Sequence, residues 1–139
     1  MKPLSLLGIL VAATLPMTGI GIQSSSAQET SQLIAQQINC AKPNSTVEIN
    51  ECSRREAEAA DRKLNQVYQQ LRPQLRGQQR EKLTEAQLAW ISFRDKSCEY
   101  ERGEWGNGTG ATSAYSFCIA RLTQQRTADL ERYLQRANQ

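Results

Sequence analysis

The chain has no histidine in its 139 residues, no Cys-x-x-Cys pair and no convincing alternation of apolar and polar residues that would mark a strand. Without histidine, the usual general base near neutral pH is missing, and so is any Ser-His or Cys-His nucleophile pair, which removes most hydrolase mechanisms. Four cysteines without histidine and without close spacing do not read as a zinc site, and no metal or cofactor is expected. A basic stripe interleaved with aromatics is also lacking. Lys and Arg alternate instead with Glu and Asp, which is the pattern of solvated helix faces and excludes a nucleic-acid surface. Glu51, Glu56, Glu58, Asp61, Glu85 and Asp95 hold the carboxylates that a glycosidase pair would need, but such residues are ordinary on helix surfaces, and the chain reads as a non-enzyme.

What the chain does have begins with a secretory signal over 1–27. Lys2 precedes an apolar run from Leu4 to Ile22, and Ser24-Ser25-Ser26-Ala27 offers small residues for cleavage before Gln28. A membrane anchor is the rival reading, but Pro16, Thr14, Thr18 and the glycines interrupt the run, and no basic stop-transfer cluster follows. Cys40 follows Gln37-Ile38-Asn39, which is not a lipoprotein modification site. The mature protein is therefore expected outside the cytoplasm, periplasmic or secreted, and without stable membrane insertion. Loss of Lys2 lowers the formal charge from +3 to +2, so the mature charge is nearly balanced. About 110 residues support one domain with a modest core.

The Gln- and Ser-rich segment 28–39 reads as a flexible lead-in. The turn Pro43-Asn44-Ser45-Thr46 ends in a good N-cap, and Glu48 falls in the first turn of the helix that follows, where a negative charge is favoured. This first helix carries Ile49, Cys52, Ala60, Leu64, Val67, Tyr68, Leu71 and Leu75 at helical spacing, and Pro73 kinks or ends it. A second helix, from about Gln78 to Arg102, carries Leu83, Ala86, Trp90, Phe93 and Cys98 on one side. The stretch Gly103 to Gly110 holds four glycines and must be a loop, after which Thr112 or Ser113 offers a cap. The third helix, from about Ala114 to Gln135, carries Tyr115, Cys118, Ile119, Leu122, Leu130, Tyr133 and Leu134. The fold class is all-α: a small disulfide-bonded antiparallel three-helix bundle over 40–136.

In such a bundle all four cysteines fall near one end. Three pairings are open, and the favoured one joins Cys40 to Cys52 across a single turn and Cys98 to Cys118 across the glycine loop. Polar residues within the helical faces form a second group. Asp61, Asn65 and Tyr68 share a face of helix one, and Gln87, Trp90 and Arg94 a face of helix two, while Arg126 stands on helix three. The favoured reading is a buried polar network of Asp61, Asn65, Gln87, Arg94 and Arg126 that fixes the register of the bundle, because an Arg fork needs carboxylate or carbonyl partners in set directions.

The series Cys52, Ala60-Asp61, Leu64-Asn65, Tyr68, Leu83, Ala86-Gln87, Trp90, Phe93-Arg94-Asp95, Cys98, a glycine loop, Cys118, Arg126 and Leu130 resembles the LprI-type lysozyme inhibitor N-terminal domain family over about Cys40 to Leu134. The resemblance implies a small, helical, disulfide-bonded, exported bacterial protein whose named member inhibits lysozyme. It makes a lysozyme or related cell-wall glycosidase the expected partner, with Trp105 and Asn107 in the glycine loop and Glu101 and Glu104 beside it as candidate contacts. Exposure of Trp105 favours binding; burial makes the loop a connector. The near-neutral charge provides little electrostatic steering toward a basic lysozyme. An envelope adaptor that binds a partner through an exposed helix face is the alternative.

Overall fold

The computed structural model describes residues 38–139; the signal and nearly all of the lead-in lie outside the described residues. Among the described residues there are three α-helices: α1 over Thr46–Leu71, α2 over Gln78–Gly103 and α3 over Ala111–Ala137. Ser45 caps α1, its hydroxyl accepting from the backbone N–H of Glu48, while Glu48 reaches back to accept from the N–H of Asn44. This near capping box satisfies donors that the first helical turn leaves without intrahelical partners. Pro73 lies in the short 3-10 turn Arg72–Gln74 that follows α1, and the Arg80 guanidinium donates twice to the carbonyl of Leu75, fastening the turn into α2.

The cross-helix pairs define the register. Tyr68 meets Thr84 and Asp61 meets Arg94, so α2 descends as α1 climbs. Gln87 meets Arg126 and Cys98 meets Cys118, so α3 again reverses α2. Lys63 to Glu131 and Glu56 to Gln124 bind α1 alongside α3. α3 lies against both other helices, closest to α1, whereas the α1 and α2 backbones stay further apart. That separation leaves a groove between them.

Two apolar clusters occupy opposite ends. Leu64, Val67, Leu71, Leu83 and Leu130 form the larger, with Tyr68, Leu75, Trp90 and Leu134 against it. Cys98, Cys118 and Ile119 form the smaller, with Ala57, Tyr115 and Leu122 against it. Each helix is polar on its inner face between them: Asp61 on α1, Gln87 and Arg94 on α2, Thr123, Arg126 and Thr127 on α3.

Some expectations need correction. The loop begins one residue later than Gly103, because α2 includes that residue, and α3 starts at Ala111, ahead of the expected Ala114. Neither Thr112 nor Ser113 caps α3: Gly110 holds that position, and the Ser113 hydroxyl donates to the Gly110 carbonyl from within the first turn. Ala86, Phe93 and Tyr133 are exposed and not part of the core. The cause is that α2 packs on α3 by a narrow strip, Leu83, Gln87, Trp90, Arg94 and Cys98, and Phe93 projects from the flank of that strip.

Cys40 pairs with Cys52 and Cys98 with Cys118, and no described cysteine is free. The second bridge is fully buried, whereas Cys40 lies at the surface. Mild reductant is therefore expected to open Cys40–Cys52 first, as mass mapping of alkylated thiols will show. Replacing Cys98 and Cys118 together by alanine is expected to cost about 2 to 5 kcal/mol in urea unfolding, with Cys40 and Cys52 toward the lower end of that range.

Tyr115 responds to pH. Burial, and then the negative charges of Asp95 and Glu99, push its hydroxyl above the ordinary tyrosine value of 10. The unfolded chain releases this proton first, so the stability Tyr115 contributes is complete below pH 10 and falls as pH rises beyond it. The Tyr115→Phe variant keeps the ring and is expected to lose stability less steeply than the wild type above pH 10, measured by urea titrations across that range.

Candidate functional site

The residues singled out in the sequence fall in two places, the groove between α1 and α2 and the loop between α2 and α3. The groove encloses about 350 Å³ and is lined by Asp61, Asn65, Tyr68, Thr84, Gln87, Trp90 and Arg94, with Leu64, Leu88 and Ile91. Its centre is Arg94, whose side chain is 14% exposed. Nη1 donates to Asp61 Oδ1 at 2.9 Å and to Thr123 Oγ1 at 3.3 Å, while Nε donates to Asp95 Oδ1 at 2.9 Å. The guanidinium also lies over the Trp90 ring, 5.2 Å from its centroid, in cation–π range. One cation thus joins all three helices, since Thr123 belongs to α3 and is fully buried.

The other sequence-selected polar residues fall around this centre. Gln87 is buried and its amide oxygen accepts from Arg126 Nε at 3.1 Å, which makes a second, separate link between α2 and α3. Asn65 is exposed and lines the groove, so the network does not include it as a buried member. The reason is its position on α1: Leu64 beside it and Val67 turn toward the core, and Asn65 turns away. Sequence reading passed over Thr123 and Thr127, buried on α3, with Thr127 donating to the Thr123 carbonyl at 2.8 Å. A signal existed. Ile119, Thr123, Thr127 and Leu130 follow at the helical interval, and a threonine is small enough to be core when its hydroxyl has a partner.

In the loop, Trp105 is 57% exposed, and Glu104 and Asn107 are exposed with it. Its ring lies against the backbone of Gly110, where a Cβ would stand 2.6 Å from two ring carbons. Gly106 adopts φ 53°, a left-handed conformation that glycine enters without steric cost. The turn is closed by N–H bonds from Gly106 to Gly103 and from Gly108 to Trp105. Trp105 therefore has one face seated on glycine and the remainder open to solvent. Glu101 is half-buried and paired with Arg121, so its carboxylate ties α2 to α3. Among the described residues, no group of three or more Cys, Asp or Glu stands where it would hold a metal ion, and no helix is long and apolar enough to cross a membrane.

Both charged groups in the groove, Asp61 and Arg94, face an opposite charge or an aromatic ring, and the loop presents an exposed aromatic residue. The family model for Lysozyme inhibitor LprI matches residues 39–130. An uncharacterized protein of Rhizobium meliloti (strain 1021) is 30% identical over 112 residues, covering 71% of this chain and 81% of that protein. No solved structure matches. The chain belongs to the LprI lysozyme inhibitor family.

Arg94 is mostly buried while its carboxylate partners are 43% and 47% exposed, so the pairing has an intermediate strength. Arg94→Ala is expected to destabilise the fold by about 2 to 3 kcal/mol, above a surface ion pair and below a fully buried one. Arg94→Lys keeps the charge without the fork and is expected to recover about half of that loss. Chemical denaturation checks both; a loss under about 1 kcal/mol for the alanine variant would return the cluster to the class of solvated pairs.

Proposed function

We propose that the protein is exported and, without catalysis, inhibits lysozyme-type glycosidases by inserting the Glu104–Gly110 loop into the substrate cleft, with Trp105 as the anchor. The observation that carries this reading is Trp105 itself: a large aromatic in a family of lysozyme inhibitors, seated on Gly110 yet more than half exposed. Exposed tryptophans held in a fixed position are the residues that dominate binding energy at interfaces, because they bury much area and lose little side-chain freedom. Two disulfides support an extracytoplasmic location.

Charges play the smaller part. A glycosidase cleft is lined by carboxylates, so Glu104 acts at a basic rim outside the cleft, and a rim charge mainly affects the association rate. Glu101, paired to Arg121, contributes to the geometry of the α2–α3 junction rather than to contact.

A second reading draws on α2. Phe93 and Tyr100 are 59% and 72% exposed and border one shallow depression with Lys96, Ser97 and Glu101. An adaptor that binds another envelope protein would use this outer face and not the loop.

Lysis of cell walls by lysozymes of several types, with the purified protein added at micromolar concentration, tests the proposal. Trp105→Ala is expected to weaken inhibition by roughly thirtyfold, about 2 kcal/mol, while Glu104→Ala changes it little. Gly110→Ala is backbone-compatible at φ −79° but its methyl displaces the Trp105 ring, so it should weaken inhibition with the fold intact. If the wild type slows no lysozyme, inhibition is wrong. If it inhibits and Trp105→Ala and Gly110→Ala do so equally well, the loop is not the contact.

A further inference from the structure

A second groove lies toward the opposite end of the bundle from the Trp105 loop, between the first half of α2 and the last turns of α3. It encloses about 470 Å³, within the size range of small-molecule sites. Leu75, Leu83, Ala86, Tyr133 and Ala137 give it apolar walls. Its three charged residues are all cations, Lys82, Arg126 and Arg136, and no carboxylate lines it among the described residues. Elsewhere on the helices several bases pair with an acid within about one turn, as in Arg54 with Glu51 and Glu58 and Arg132 with Asp129. The groove breaks that pattern.

Arg126 adds a more specific point. Its Nε donates to buried Gln87, which fixes the guanidinium, but its Nη2 is shielded from solvent and no described group accepts from it. A guanidinium with one N–H deprived of both water and a partner carries an uncompensated charge, which an anion meeting the groove-facing side of Arg126 would offset. Arg136 is poised over the Tyr133 ring at 5.0 Å, which holds a second cation at the same wall.

We propose that this groove binds a free single-chain anionic amphiphile: an alkyl chain along Leu75, Leu83 and Ala86, and a carboxylate or phosphate head on the groove-facing side of the Arg126 guanidinium, with Lys82 and Arg136 closing around it. Apolar walls reject a bare anion, and the three cations reject a cationic or neutral amphiphile of equal length.

The test is calorimetric titration of the disulfide-intact protein with sodium decanoate and with decyl phosphate, both kept below micelle formation. Decyltrimethylammonium, decyl maltoside, sodium acetate and inorganic phosphate serve as comparisons. Decanoate and decyl phosphate are expected to bind at least about tenfold more tightly than every comparison ligand. Arg126→Gln is expected to weaken decanoate by about tenfold or more, the loss of one charged hydrogen bond. Ala86→Trp, at an exposed helix position, is expected to fill the groove and abolish binding with the helical circular dichroism unchanged. The proposal is overturned if decanoate does not bind up to millimolar concentration, or if the cationic or neutral amphiphile binds equally well. It is also overturned if acetate or phosphate matches the amphiphiles, if Ala86→Trp folds and still binds, or if only anionic vesicles are bound and free monomers are not.

Discussion

The Arg94 guanidinium is the tie on which the arrangement of the three helices depends. It lies between the two apolar clusters, and through Asp61 of α1, Asp95 of its own helix and Thr123 of α3 it sets the height of each helix against the others. The apolar clusters alone are less selective, since leucines at helical spacing accept a shift of one turn with little change in buried area, whereas a planar fork with fixed directions does not. Gln87 with Arg126 repeats the constraint about two turns away along α2, between α2 and α3 only. The disulfides then lock the end at which the loop emerges. Register, loop placement and the open groove between α1 and α2 all follow from these links.

Much of the fold was legible in the chain. The period of Leu64, Val67 and Leu71, Ser45 with Glu48 at a helix start, and Pro73 with Gly77 at a turn are local signals, and local chemistry decides them. What escaped was decided by packing. Phe93 follows the helical spacing of Trp90 closely enough to read as core, yet α2 buries only a narrow strip because α1 stands off from it. Thr123 and Thr127 were passed over and are core, because hydroxyls bonded to a neighbouring group or to the preceding turn can be buried. The early start of α3 at Ala111 escaped because the glycine run suggests a longer loop, while Gly110 is retained for the Trp105 ring that covers it.

The same comparison applies to the site. Arg94, Asp61 and Gln87 stood out as polar residues at core spacing, and Trp105 as an aromatic between glycines. The cationic groove did not stand out, because Lys82 and Arg136 each look like an ordinary helix charge, while Arg126 reads as part of the buried polar network. The protein thus presents its aromatic loop at the disulfide end and its cationic groove toward the other, so occupancy of one does not obstruct the other sterically.

The central claim is that contact with the glycosidase is made by the Glu104–Gly110 loop, and hydrogen exchange of the protein mixed with an inhibited lysozyme tests it most directly. The account predicts that slowed exchange concentrates in 104–110 and the adjoining first turn of α3, with the α2 segment around Phe93 and Tyr100 unchanged. Protection confined to that α2 segment, or no protection anywhere at saturating lysozyme, would contradict it.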